Sequence, residues 1–202
     1  MARRGIRPTS SEPVARSSHL FEYAVMGTIY AEEMGGIENP SVGLLSMGEE
    51  ESKGNEVATA AFKLLKDSKL NFIGNVEGRD ILTKKVDVVI CDGFVGNIIL
   101  KFGESVPKLL KHLLRETAES NFLDKLKVGL SKDTLKKSLK SLDYQEHGGV
   151  PLLGVNGISI IGHGSSTPKA IKNMVFKARE MYNKDLIIKI ENSIKQYSQI
   201  KQ

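Results

Sequence analysis

Four short polar stretches carry the residue types that hold anions: GEEESKGN (48–55), EGRD (77–80), CDGFVGN (91–97) and GHGSS (162–166). Each follows an apolar run: VGLLSM, LNFIGNV, VDVVI or GISII. Glycine lacks a β-carbon, so a ligand can approach the backbone N–H groups closely. At a helix start those groups also carry partial positive charge, which suits phosphate. None of the four stretches matches the Walker or the GxGxxG pattern. Each also has a plainer reading as a turn or a capped helix start. Lys53 is either a surface residue or a point charge on phosphate. Asp92 either caps the next helix or, in a functional role, orients a nucleophile or accepts a proton. His163 is a ligand or a structural hydrogen-bond partner, and the better candidate beside His19 and His112. Cys91 reads as a buried, inert thiol.

The elements that must position these residues follow from periodicity. Residues 19–34 predict a helix with Leu20, Tyr23, Ala24, Met26 and Tyr30 near one face, ended by Gly35-Gly36. VGLLSM (42–47) predicts a strand. Residues 56–67 predict a helix with Val57, Ala60, Ala61, Leu64 and Leu65 inward. LNFIGNV (70–76) and VDVVIC (86–91) predict strands, and their continuous apolarity suggests cover on both faces. Strand and helix alternate, so a parallel α/β sheet is expected, with its ligands at the carboxyl ends of the strands. A long helix follows CDGFVGN. Pro107 should kink it or start a second segment. Gly129 and Ser131 mark a further break. The apolar stripe of this helical hairpin, about 107–142, needs a partner, and a second copy of the chain is the simplest. The last helix starts at Thr167-Pro168 and frays loosely past Ile187.

At 202 residues, 40% hydrophobic and 26% charged, the chain has the composition of one ordinary soluble domain, or one and a fragment of another. One cysteine excludes an intramolecular disulfide and fits a reducing cytoplasm. The histidines at 19, 112, 147 and 163 are scattered, so no metal site is expected. Residues 101–142 hold nine Lys, one Arg and five acids, so the whole net charge of +5 resides there. That segment is a solvated helix face or a surface for an acidic protein or anionic membrane, and too poor in Arg and aromatics for nucleic acid. Residues 1–18 hold four of the seven arginines and no lysine, which reads as a disordered or foreign lead.

Five motifs, in this order and spacing, resemble the phosphate acyltransferases of the PlsX family. They are YAVMGTIYAEEMGGIENPSVGLLSMGEEESKGNE, NFIGNVEGRD, DVVICDGFVGNIILK, DYQEHGGVPLLGVNG and GHGSSTPKAIKNM. The resemblance covers roughly residues 19–180. It implies a three-layer α/β/α fold with a mainly parallel sheet, similar to isocitrate and isopropylmalate dehydrogenases, here incomplete and with the helical hairpin inserted. It implies reversible transfer of a fatty acyl group from acyl-acyl-carrier protein to inorganic phosphate, giving acyl phosphate for phospholipid synthesis. No cofactor is implied. The implied setting is a cytoplasmic homodimer, peripheral at the inner face of the membrane and associated with a membrane acyltransferase. Carried over by motif, Lys53 is the phosphate charge partner, and Asp92 and Asn97 orient phosphate or thioester. Backbone groups at Gly93, Gly96 and Gly164 are oxyanion donors. Asn55, Glu77, Arg79, Asp80, His163 and Ser165 belong to the same cleft.

The family pattern also has an MGGD-type loop and an LDVGAN-type stretch ahead of the segment matching 19–34, and neither occurs in residues 1–18. The chain therefore reads as the carboxyl-terminal part of the enzyme domain, 19–202. Two alternatives stand beside the acyl-carrier reaction: an inactive fragment that keeps the dimerisation hairpin, and a phosphate acyltransferase acting on coenzyme A thioesters.

Overall fold

The structure, a computed structural model, describes residues 16–139 and 149–199. Residues 1–15 of the expected 1–18 lead, the end of the hairpin at 140–142 and residues 143–148 of the fourth motif lie outside the described residues. The described residues divide into two compact units. One holds those up to Phe94, Pro151–Ile161 and those from Phe176 onward; the other holds Val95–Val150 and Gly162–Val175.

The first unit is a mixed α/β fold, a small parallel sheet flanked by helices. Helix α1 (Ser17–Gly35) starts two residues earlier than expected and ends at Gly36, whose φ of 65° is left-handed. Strand β1 (Val42–Leu45) leads to α2 (Glu56–Lys66), then β2 (Phe72–Val76), α3 (Gly78–Thr83) and β3 (Val88–Ile90). The strand order is β2-β1-β3, with both pairings parallel. Val42 faces Phe72 on one side and Val88 on the other. Ile73 is the extra residue of a bulge between Val42 and Gly43's partners, and is 47% exposed.

One cluster fills the core. Val42, Leu44 and Ile90 of the sheet meet Leu20, Phe21, Ala24, Val25, Met26 and Ile29 of α1 and Ala61, Phe62 and Leu65 of α2. Each of these side chains other than the alanines contributes about 1.5–3 kcal/mol by leaving water. Two expectations about inward faces need correction. Phe21, Val25 and Ile29 join the buried side of α1, so that helix is covered over more than one stripe. In α2, Ala60 is exposed and Phe62 is buried instead. Gly27 lets α1 lie close on β3: a β-carbon there would stand 2.7 Å from Val88 Cγ1.

The carboxyl-terminal segment folds as two helices, α6 (Pro168–Asn183) and α7 (Leu186–Gln199), where one fraying helix was expected. Thr167 Oγ1 accepts the Ala170 N–H at the start of α6. The break falls at Asp185, with φ 51°. Met181, Leu186 and Ile190 then enter the core cluster, which holds α7 in place.

In the second unit lies most of α4 (Gly93–Ser120), followed by α5 (Phe122–Leu139). Helix α4 continues through Pro107. The carbonyl facing the proline ring is that of Gly103, the residue type most able to adjust. The expected break at Gly129 and Ser131 is absent, and α5 runs through both. A glycine inside a helix costs only about 1 kcal/mol, which good neighbours offset. The interruption sits instead at Asn121, whose Oδ1 accepts the Asp124 N–H at 2.8 Å and starts α5. No residue of α4 is buried.

Candidate functional site

The three strands of the sheet run in one direction, so their carboxyl ends share an edge. Neighbouring strands lie about 4.8 Å apart. Onto that edge the fold brings the first three polar stretches, with Lys53, Asn55, Glu77, Arg79, Asp80, Asp92 and Gly93.

The first loop, 46–55, leaves β1 while the Ser46 N–H still bonds the Val76 carbonyl at 2.9 Å. Three successive glutamates then tie it down. Glu49 meets Lys85 Nζ at 2.6 Å and Glu51 meets Lys66 Nζ at 2.8 Å. The Glu50 carbonyl accepts from Asn75 Nδ2 at 2.8 Å and from the Lys53 N–H at 3.0 Å. Lys53 itself is exposed. Gly54 has φ 115°, which other residues adopt under strain. Asn55 caps α2, its Oδ1 accepting the Ala58 N–H at 2.8 Å.

After β2, Asp80 Oδ2 accepts the Glu77 N–H at 2.8 Å, and Arg79 Nε lies 3.0 Å from Glu77 Oε2. Lys85 Nζ stands 3.6 Å from Asp80 Oδ2. The bond from Glu77 and the nearby Lys85 charge hold the Asp80 carboxyl below its ordinary value. Lys85, bonded to Glu49 and close to Asp80, is held above its own. One lysine thus ties the loop after β1 to the start of α3.

After β3 come Cys91 and Asp92, and α4 starts at Gly93. Burial and the Asp92 charge push the Cys91 thiol up to about 11. At neutral pH it is a thiol, which fits the inert reading.

Gly96, Asn97, His163, Gly164 and Ser165 belong to the second unit. Gly96 and Asn97 lie in the first turns of α4, and Asn97 is exposed. His163 Nδ1 and Ser165 Oγ are 2.7 Å apart, and Ser166 Oγ donates to the His163 carbonyl at 2.6 Å. The expected strand GISII shrinks to β5 (Ile160–Ile161), paired with β4 (Val150–Pro151) in a separate two-stranded ladder. The strand that precedes the fourth stretch is therefore not a member of the three-stranded sheet.

Sequence reasoning passed over Ser46, Glu49, Glu50, Asn75 and Lys85. One signal was available: Asn75 is a polar residue inside an otherwise apolar strand run. Among the described residues, no group of His, Cys, Asp or Glu is placed to hold a metal ion. Among them also, no helix is long and apolar enough to cross a membrane. A shallow depression of about 580 Å³ lies between Ser17 and the Glu56, Thr59 and Lys63 side of α2. It touches the first polar stretch at Gly54 but includes none of the candidate site residues.

A family model described as "Fatty acid synthesis protein" matches residues 13–189. The chain belongs to this family. Several curated relatives share its sequence closely. A phosphate acyltransferase of Pelotomaculum thermopropionicum is 51% identical over 176 residues, 87% of this chain and 52% of its own length. One from Heliobacterium modesticaldum is 48% identical over 180 residues, 89% of this chain and 54% of its own. One from Desulfitobacterium hafniense is 48% identical over 189 residues, 93% of this chain and 57% of its own. The chain spans about half the length of the curated relatives it matches.

Proposed function

We propose that the chain carries the phosphate-holding part of a phosphate acyltransferase. The reaction moves a fatty acyl group from acyl-acyl-carrier protein to inorganic phosphate. A phosphate oxygen attacks the thioester carbonyl, the C–S bond breaks, and the phosphate proton passes to the departing thiolate. Acyl phosphate and free carrier thiol result. A thiolate leaves readily and phosphate is a competent nucleophile, so the protein's task is placement and charge. The observation that carries this reading is the convergence of the GEEESKGN, EGRD and CDG stretches on one sheet edge, within a chain whose relatives are named phosphate acyltransferases. Lys53 supplies the charge on phosphate. Asp92 and Asn97 orient phosphate or thioester, and the N–H groups at Gly93, Gly96 and Gly164 meet the oxyanion. Asn55, Glu77, Arg79, Asp80, His163 and Ser165 line the cleft.

The test is trapping of acyl phosphate with hydroxylamine after mixing the protein with acyl-acyl-carrier protein and phosphate. Product that depends on phosphate supports the reading. Folded protein without product removes it. The same assay with acyl-coenzyme A identifies the carrier.

A second proposal concerns association. Helices α4 and α5 build the dimer hairpin and the surface that meets the cytoplasmic face of a membrane and its acyltransferase. What supports this is an open apolar stripe: Phe102 is 70% exposed, Leu109 57% and Phe122 79%. Such a stripe on a charged helix seeks a partner. Sedimentation would read a dimer, and Leu109→Glu with Leu113→Glu would dissolve it. An unchanged sedimentation coefficient in that variant would sink the idea.

A further inference from the structure

Asn75 is the polar exception in β2, 5% exposed. Its Nδ2 donates to the Glu50 carbonyl at 2.8 Å, and that carbonyl also accepts the Lys53 N–H at 3.0 Å. A carbonyl can only accept, so the amide nitrogen must face it and Oδ1 must turn away. Asn75 Oδ1 is buried without a hydrogen-bond partner, as is Ser46 Oγ at the end of β1. A leucine of the same shape at 75 would pack there without an orphaned acceptor. Stability alone therefore does not account for an amide at this place; its one bond, to the loop, does. Gly48 lies against the side chain of the same lysine. A β-carbon at 48 would lie 3.1 Å from Lys53 Cγ and 2.7 Å from Glu50 Oε2. A β-carbon there makes the Lys53 stem give way by a few tenths of an ångström.

We propose that Asn75 and Gly48 are positioning residues for Lys53: Asn75 fixes the backbone turn that carries it, and Gly48 leaves the groove its stem occupies. The proposal rests on the reading of Lys53 as the phosphate partner. It extends that reading by naming what sets where the ammonium group stands. Lys85 on Glu49 and Lys66 on Glu51 hold the flanks of the same turn.

Two measurements on the full chain test it. Hydrogen exchange at the Lys53 N–H reads the turn directly. Asn75→Leu should speed that exchange by roughly tenfold or more, while amides of β1 and β3 keep their protection. Unchanged exchange at Lys53 overturns the role of Asn75. Titration with inorganic phosphate, followed by calorimetry, reads the ammonium position. Gly48→Ala should weaken phosphate binding by roughly tenfold in the unmodified background and have no effect in Lys53→Ala, because the two act as one unit. Equal weakening in both backgrounds, or none in either, overturns the role of Gly48. If the unmodified chain binds no phosphate, the phosphate reading itself fails. The exchange measurement then still decides whether Asn75 sets the Lys53 turn.

Discussion

Ser41 and Asp87 clasp the amino-terminal ends of two neighbouring parallel strands. Asp87 Oδ2 accepts the Ser41 N–H at 2.8 Å and the Ser41 hydroxyl at 2.6 Å. The Asp87 N–H lies 3.0 Å from Ser41 Oγ in return. The next residues, Val42 and Val88, are register partners. The clasp therefore sets the alignment of β1 on β3, and with it the level at which their carboxyl-end loops emerge. A one-residue slip would turn Leu44 and Ile90 away from the core.

This clasp makes stability depend on acid. The Ser41 hydroxyl and N–H hold the Asp87 carboxyl below its ordinary value of 3.8. Its contribution is complete above that ordinary value and drains away as the pH falls through the lower folded one. Asp80 adds in the same direction. Asp87→Asn should lower the urea midpoint near neutral pH, and the gap from the unmodified protein should close in strong acid. A gap that stays constant down to strong acid would show that the carboxylate charge is irrelevant.

Gly27→Ala should destabilise the first unit by about 1–3 kcal/mol, through overpacking against Val88. Helix propensity alone works the other way, favouring Ala by up to about 1 kcal/mol. The sign of the change in thermal midpoint therefore decides between close packing and propensity.

Ser46→Ala removes a hydroxyl that is buried without a partner. Relieving such a group should leave the protein as stable or raise its stability by about 1 kcal/mol. A loss larger than that in chemical denaturation would mean the hydroxyl has a partner in solution.

Cys91 should resist alkylation. Its thiol is raised from 9.0 to about 11 by burial and by Asp92. At mildly alkaline pH the thiolate population is then roughly a hundredfold below that of the unfolded chain, and the iodoacetamide rate should fall at least as far. Equal rates in folded and denatured protein would place the sulfur in an open site.

Lys53→Ala should raise the phosphate concentration for half-maximal acyl phosphate formation by roughly tenfold or more, as the loss of a charge-assisted contact predicts. The requirement for acyl-carrier protein should stay the same. A rate at low phosphate equal to that of the unmodified chain would refute the role.

Much of the fold was legible in the sequence where its signals are local. The strand VGLLSM, the helix over 56–67 and the Thr167 cap need only periodicity and turn chemistry. What escaped depends on distant partners. On α2 Phe62 turns inward and Ala60 outward, and only the packed neighbours decide which side of the helix is covered. Gly129 looks like a break because propensity is a weak signal inside a helix with strong neighbours. Asp185 lacks the glycine that usually announces a helix end, so α6 and α7 read as one. The loops were legible as polar and glycine-rich, with Lys53 among them. The ties that place Lys53 were not, since Asn75 and Lys85 come from residues further along the chain and carry no local mark.

Helix α7 bears on the order in which the core closes. Its Leu186 and Ile190 pack into the same cluster as Leu20 and Val25 of α1. A ribosome delivers residues 20 and 186 far apart in time. The sheet can pair early beneath α1 and α2, yet the side of α1 that meets α7 stays uncovered until residue 190 has emerged. Nascent chains stalled before residue 186 should accordingly hold onto chaperones, and release them once α7 has emerged.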